Sequence, residues 1–350
     1  MSDTQCPMLI LIEGLPGSGK STLAHFLTRH LDAIGIANKW WYEEEAGHPL
    51  YIFHDAASLQ RVLDTLAAGD YRPVIAAALD KWRQFSQSLQ KSGIVVILDS
   101  CLFGYLTWTL FPYGVPVAAI DAYLMQVEKI IRANNPRLVY LYQNDVAAAL
   151  RKICDRRGGN TEQRFIRNAT ESAYGKRHDR QGFDGMVALW RDYRVVTDGA
   201  FSRSILPKLA VENSAGDWPE YQRAVLQFLD IPDTQEEAET SSRNLARFVG
   251  EYHPHVGGHE ASCAVLWEGD DLLLDGLPLV WPRNRLIPLS LNRFVVESLP
   301  FTVQFEEDAS GAVITMTLTG RELLSGIANS VFIKKQNEET PFPCGKGAGG

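Results

Sequence analysis

Over the first two-thirds of the chain, short apolar runs alternate with longer stretches in which apolar side chains recur every three or four positions. That alternation predicts an α/β fold, a parallel sheet covered by helices on both faces. Met8-Leu-Ile-Leu-Ile12 is the first expected strand. Lys20 to Ala33 is the first helix, with Leu23, Leu27, Leu31 and Ile34 on one side. A second strand is expected over 36–42, helices near 57–67 and 72–91, and a third strand over 93–99, ending in Asp99. A helix at 121–133, a strand at 137–142, a helix from Asp145 to Arg156, a strand at Tyr193 to Asp198 and a closing helix at 219–228 complete the unit. Residues 231–243 are polar, acidic and poor in large apolar groups, the composition of a linker. Beyond about 248 the pattern becomes one of short strands and turns, at 262–267, 272–274, 294–297, 301–305 and 313–318. The division is thus 1–229, an α/β domain; 230–247, a linker; 248–334, a smaller and mostly antiparallel β domain; and 335–350, a tail.

Composition narrows the classes. The 350 residues are 45% hydrophobic, enough for a substantial core. A formal charge of -8 disfavours a nucleic-acid-coating protein. Five scattered cysteines (6, 101, 154, 263 and 344) form no CxxC pair and fit reduced thiols in the cytoplasm. Apolar runs are of strand length, far below the roughly 20 residues that cross a bilayer, and no leader pattern precedes Met8, so neither a membrane nor a secreted setting is expected.

The most specific motif lies between the first strand and first helix: Gly14-Leu15-Pro16-Gly17-Ser18-Gly19-Lys20-Ser21, followed by Thr22. This is the GxxxxGK[ST] spacing of a P-loop. Its glycines let successive amides face phosphates, and the helix N-terminus adds its dipole. Lys20 is expected on the β- and γ-phosphates and Ser21 on Mg²⁺. Asp99, at the C-terminal end of an apolar strand, is placed to hold Mg²⁺ through water or to bond Ser21; capping the following segment is its other role. Glu43-Glu44-Glu45 follows the second strand on the same sheet edge. Strand alternation sends Glu43 and Glu45 the same way, and a carboxylate there can accept an acceptor's proton; a solvated acidic turn is the plainer alternative.

Two further stretches bear on the acceptor. Residues 101–113 hold five aromatics, either a pocket wall or ordinary core. Between 151 and 180 there are nine Arg or Lys residues against four acids, a local excess of five positive charges in an acidic chain. A phosphoryl-transfer lid gives that excess a purpose, with Gly158-Gly159 as hinge and Arg156, Arg157 and Arg164 as the candidate contacts; solvated helix faces are the alternative.

With these residues on view, the chain resembles the P-loop small-molecule kinases, in particular the thymidylate-kinase-like and deoxynucleoside-kinase-like branch. The likeness covers about 8–229 and rests on the P-loop, the carboxylates after the second strand, Ile94-Val-Val-Ile-Leu-Asp-Ser100, and the stretch Leu141 to Gly158. It implies five parallel strands, ATP with Mg²⁺, and transfer of the γ-phosphoryl group to a bound small molecule. Two features of that branch are missing. Asp99 is followed by Ser100 and Cys101 where an Arg is usual, and the Glu-Pro signature after the second strand is replaced by Tyr42-Glu-Glu-Glu-Ala46. Both departures fall on acceptor contacts, so an antibiotic, metabolite or modified amino acid is as open as a nucleoside or nucleotide. A guanine-reading NKxD is absent, and Gln143-Asn144-Asp145 instead caps the next helix. A regulatory ATPase whose second domain binds a protein is the alternative class. The second domain carries no diagnostic motif: completing the acceptor pocket, pairing two subunits into a homodimer and recognising another protein are its candidate roles. His253 to His259 matches no zinc spacing.

Overall fold

The computed structural model describes residues 9–233, 245–255, 262–277, 280, 283–324, 326 and 329–335. Five parallel strands, β1 (Leu9–Glu13), β2 (Asn38–Trp41), β3 (Val95–Asp99), β4 (Pro136–Tyr142) and β5 (Lys208–Glu212), form one sheet in the order β2-β3-β1-β4-β5. Ten α-helices are formed by the described residues: α1 (Lys20–Ala33), α2 (Ala56–Ala67), α3 (Arg72–Ser92), α4 (Leu106–Leu110), α5 (Val117–Ile131), α6 (Val146–Arg157), α7 (Thr161–Thr170), α8 (Ala173–Arg177), α9 (Gly182–Arg203) and α10 (Trp218–Phe228). β1 and β3 are buried at every position, as expected for strands covered on both faces. Alternate β1 residues feed two cores: Ile10 and Ile12 join α1 and α10, whereas Leu9 and Leu11 join α3, α5 and α9.

One expected strand is a helix. Tyr193 to Asp198 lies inside α9, because its β-branched run belongs to a longer stretch in which Met186, Leu189, Trp190, Tyr193, Val196 and Ala200 bury at helical spacing. Asp198 therefore ends no strand; it takes two bonds from Arg194 Nε one turn earlier and one from Tyr140 Oη. The fifth strand comes later, at Lys208–Glu212, an edge strand in which only Val211 is buried.

The second unit is an eight-stranded antiparallel closed barrel: β6 (Gly250–Pro254), β7 (Cys263–Glu268), β8 (Asp271–Asp275), β9 (Asn284–Pro288), β10 (Arg293–Val296), β11 (Phe301–Glu307), β12 (Val313–Gly320) and β13 (Ser330–Lys334). Closure leaves no sheet edge to template aggregation. Its interior holds Phe248, Phe294 and Phe305 edge to face or tilted, with Tyr252 beside them. One continuous apolar cluster runs from α1 and α10 through Leu229 and Ile231 into this interior. Arg283 and Arg285 pair with Glu268, Asp275 and Asp271 on the barrel surface. Of the three histidines noted above, His259 lies outside the described residues, and His253 bonds Ser262 through Nδ1. Most of the expected linker and tail also fall outside the described residues.

Candidate phosphate and acceptor site

Sheet register decides what meets at the P-loop. Ile12 of β1 pairs with Asp99 of β3, and Leu98 pairs with Trp41 of β2, so the loop after β1, the β3 carboxylate and the acidic turn after β2 emerge side by side. Parallel strands bring their C-terminal ends, where ligands bind in such sheets, to one edge. The left-handed Gly19 (φ 87) starts α1, and a Cβ there would lie 2.2 Å from the Trp218 ring. Asn213 Nδ2 donates to Ser18 O at 2.5 Å and ties the loop to the chain after β5. Lys20 is almost fully buried, its Nζ donating to Leu15 O at 3.2 Å.

A cavity of about 360 Å³ opens over this edge. Gly14, Pro16, Gly17, Gly19, Lys20, Ser21 and Thr22 form one wall, Glu43 and Glu44 another, and Arg156, Arg157, Phe165 and Asn168 of the 151–180 segment a third. Trp108, Trp190 and Tyr193 make an aromatic side, with the two indoles stacked at 3.9 Å. Of the five aromatics at 101–113, Trp108 alone borders the cavity; Phe103 and Phe111 are core. The π-turn at Cys101–Tyr105 and left-handed Ser100 (φ 63) carry the chain from β3 to this wall.

Other expected residues stand off the lining. Ser18 is buried, and its hydroxyl has no bonding partner. Asp99 is fully buried behind Lys20 and Ser21. Burial, together with the negative charge of Glu43, pushes its carboxyl up, while Lys20 and Ser21 favour the ionised form. Neither Asp99 oxygen meets hydrogen-bond geometry, Ser21's pull included. Arg164 is exposed, yet near enough to Glu44 to favour its ionised form. Glu45 does not follow Glu43, because β2 ends at Trp41 and a turn closed by Glu45 N to Tyr42 O breaks the alternation. Its carboxylate is buried between Lys39 and Arg321, each at 2.8 Å, and is committed to structure. Glu44 fills the place expected for it; its side chain is exposed on the cavity wall, where partial desolvation and Glu43 raise its carboxyl against the opposing pull of Arg157 and Arg164.

Glu13 was not expected at the site. Fully buried at the end of β1, it accepts from Leu102 N at 2.6 Å and Phe103 N at 3.0 Å, capping the π-turn below the aromatic wall. Burial lifts its carboxyl to about 7 against the pull of those amides and Lys20. The signal was there, a Glu closing an otherwise apolar strand directly before the P-loop. Tyr42 is likewise buried with a bondless hydroxyl, and burial plus Glu44, Glu43 and Asp99 raise it far above an ordinary phenol.

Five parallel strands in this order, with the loop after the central one leading into α1, decide the fold class. It is a P-loop NTPase core. Similar solved structures include the YorR protein from Bacillus subtilis, solved in complex with phosphorylated GDP, at 14% identity over 63% of this chain and 95% of that one. A thymidylate kinase from Candida albicans is similar at 15% identity over 64% and 92%; the TM-score is 0.34 in both cases. At that level the fold assignment rests on strand order and loop, and nothing about substrate passes from these proteins to this chain. No protein-family model matches the chain, and no curated protein matches it. Among the described residues no helix is long and apolar enough to cross a membrane.

The donors present fit Mg²⁺. Among the described residues no three His, Cys, Asp or Glu side chains converge as a protein-only metal cage. A hydroxyl at Ser21 beside an orphaned, buried carboxylate at Asp99 is instead the sparse, oxygen-only set of an ion that keeps waters and shares substrate phosphates.

Proposed function

We propose that the protein transfers the γ-phosphoryl group of ATP to a hydroxyl or other nucleophilic group of a small molecule. The observation carrying this reading is one cavity that joins the P-loop, two carboxylates, two arginines on a separate helical segment and an aromatic wall. Lys20 and the loop amides hold the phosphates, and Ser21 with Asp99 holds Mg²⁺, which neutralises phosphate charge when bound. Glu43, nearer Asp99, takes the acceptor's proton as the new P–O bond forms and the bond to the β–γ bridging oxygen breaks. Arg156 and Arg157 offset charge on the transferring oxygens, with Arg164 acting from further out. The aromatic side and Glu44 orient the acceptor, and positioning with electrostatics supplies most of the acceleration.

Calorimetric titration with ATP, with and without Mg²⁺, tests the donor half. Lys20→Ala should weaken Mg·ATP by about ten-fold or more, the size expected for a lost charge-assisted phosphate contact. Asp99→Asn should remove the Mg²⁺-dependent part of binding and leave metal-free ATP unchanged. Equal binding by wild type and Lys20→Ala would contradict the assignment.

A further inference from the structure

The loop that supplies the cavity's acidic wall is held from the barrel. Ala46 N donates to Glu322 O at 2.8 Å, and Leu324 N donates to Glu44 O at 2.8 Å. Between them Glu45 and Leu323 form an antiparallel bridge, so the barrel segment runs as a short extra strand along the Glu44–Ala46 turn. Arg321 begins that segment: its Nη1 donates to Glu45 Oε2 at 2.8 Å and to Trp40 O. Glu45 is thereby shared between a cation of the α/β unit, Lys39, and a cation of the barrel. A second contact is independent of the first. Ser298, in the turn between β10 and β11, borders the cavity and places Oγ 2.8 Å from Thr22 Oγ1, one residue past the P-loop serine. Its N–H donates to His25 Nδ1 at 3.3 Å on the same helix, and burial keeps that imidazole neutral and able to accept.

We infer that the barrel is part of the phosphoryl-transfer site: the Arg321–Leu324 segment orders the Glu43–Glu44 wall, with Arg321 as a positioning residue, and Ser298 completes the cavity beside Thr22. The inference rests on the phosphoryl-transfer reading of the cavity. Main-chain pairing fixes the turn's path, and the ion pair from half-exposed Arg321 to buried Glu45 fixes its register. A ligand or partner that shifts the barrel then changes the carboxylate geometry facing the P-loop.

Hydrogen exchange of the full-length chain, read by mass spectrometry, tests this alongside the rate and KM of Mg·ATP turnover. Arg321→Ala should speed exchange of the 43–46 amides by about ten-fold or more while β1 and β3 stay protected. It should also lower the rate at saturating Mg·ATP by about five-fold or more while leaving the KM for Mg·ATP near wild type, and Arg321→Lys, which keeps a cation, should recover most of both the exchange protection and the rate. Leu324→Pro, at an exposed position, deletes the amide that bonds Glu44 and should loosen the same turn even if Arg321→Ala fails to fold. Exchange at 43–46 equal to wild type in the folded variants would overturn the inference. A wild-type chain with no Lys20-dependent turnover would instead overturn the kinase reading, and the exchange result would still decide whether the barrel holds the loop.

Discussion

At the residue scale, what the site asks of each side chain shows in how poorly some of them are satisfied. Asp99 and Glu13 are buried carboxyls raised well above their ordinary range, and Tyr42 and Ser18 keep buried hydroxyls without partners. Such groups cost stability, and a fold tolerates them where function needs them. The sign of the pH effect follows. A carboxyl whose folded value is raised binds more protons folded than unfolded, so its contribution falls as pH rises from the unfolded value of 4.5 to about 7 and then levels off. Buried, neutral His25 and His48 pull the other way below about pH 6.5, so urea midpoints should fall between pH 5 and pH 8 with most of the fall above pH 6.5. Glu13→Gln should flatten that fall by up to about 3 kcal/mol, the linkage equivalent of the Glu13 shift; an unchanged slope would put the burden elsewhere. Asp99→Asn should be at least as stable as wild type at pH 8, which separates its loss of Mg²⁺ dependence from unfolding. The P-loop, Asp99 and the acidic triplet were legible in the sequence because spacing fixes them to strand ends. That Glu45 turns away from Glu43 was not, since a turn bond and a barrel arginine, neither of them visible in the local pattern, direct it.

At the scale of elements, α6 carries Arg156 and Arg157 to the cavity and α7 carries Phe165 and Asn168, the two helices joined through Gly158 and Gly159, both with positive φ. Gly158 has φ 59 and ψ -159, a region open in practice to glycine alone. Gly158→Ala should cost about 1–3 kcal/mol of local stability. Exchange across 158–170 should rise while the sheet stays protected; unchanged exchange would show the joint to be less constrained than its backbone implies. Long amphipathic helices and apolar strands were readable from periodicity. α9 and β5 were not: a β-branched run can sit in a helix when its apolar residues recur every three or four positions, and an edge strand with one buried residue leaves almost no pattern.

At the scale of the whole molecule, the sequence divides where composition changes, but the structure does not divide energetically. The cluster running from α1 and α10 into the barrel means that neither unit's apolar surface is complete without the other. A chain ending at residue 233 should accordingly expose the α1–α10 face and elute as aggregate or unfold at lower denaturant; a monodisperse, equally stable fragment would count against the shared core. Closure into a barrel was not legible, because β6, β9 and β13 are short and the pairing that closes the ring, β13 with β6, joins the last strand of the unit to the first. The central claim is transfer of a phosphoryl group to a small molecule, and ³¹P NMR of Mg·ATP with the full chain tests it most directly. The chain should be run alone and then with pools of nucleosides, nucleotides, hydroxy metabolites, amino acids and aminoglycosides. A new phosphomonoester or phosphoramide resonance with one pool, absent in Lys20→Ala, is the predicted result. Inorganic phosphate alone, at a rate no pool alters, would contradict it and leave an ATPase whose barrel answers to another partner.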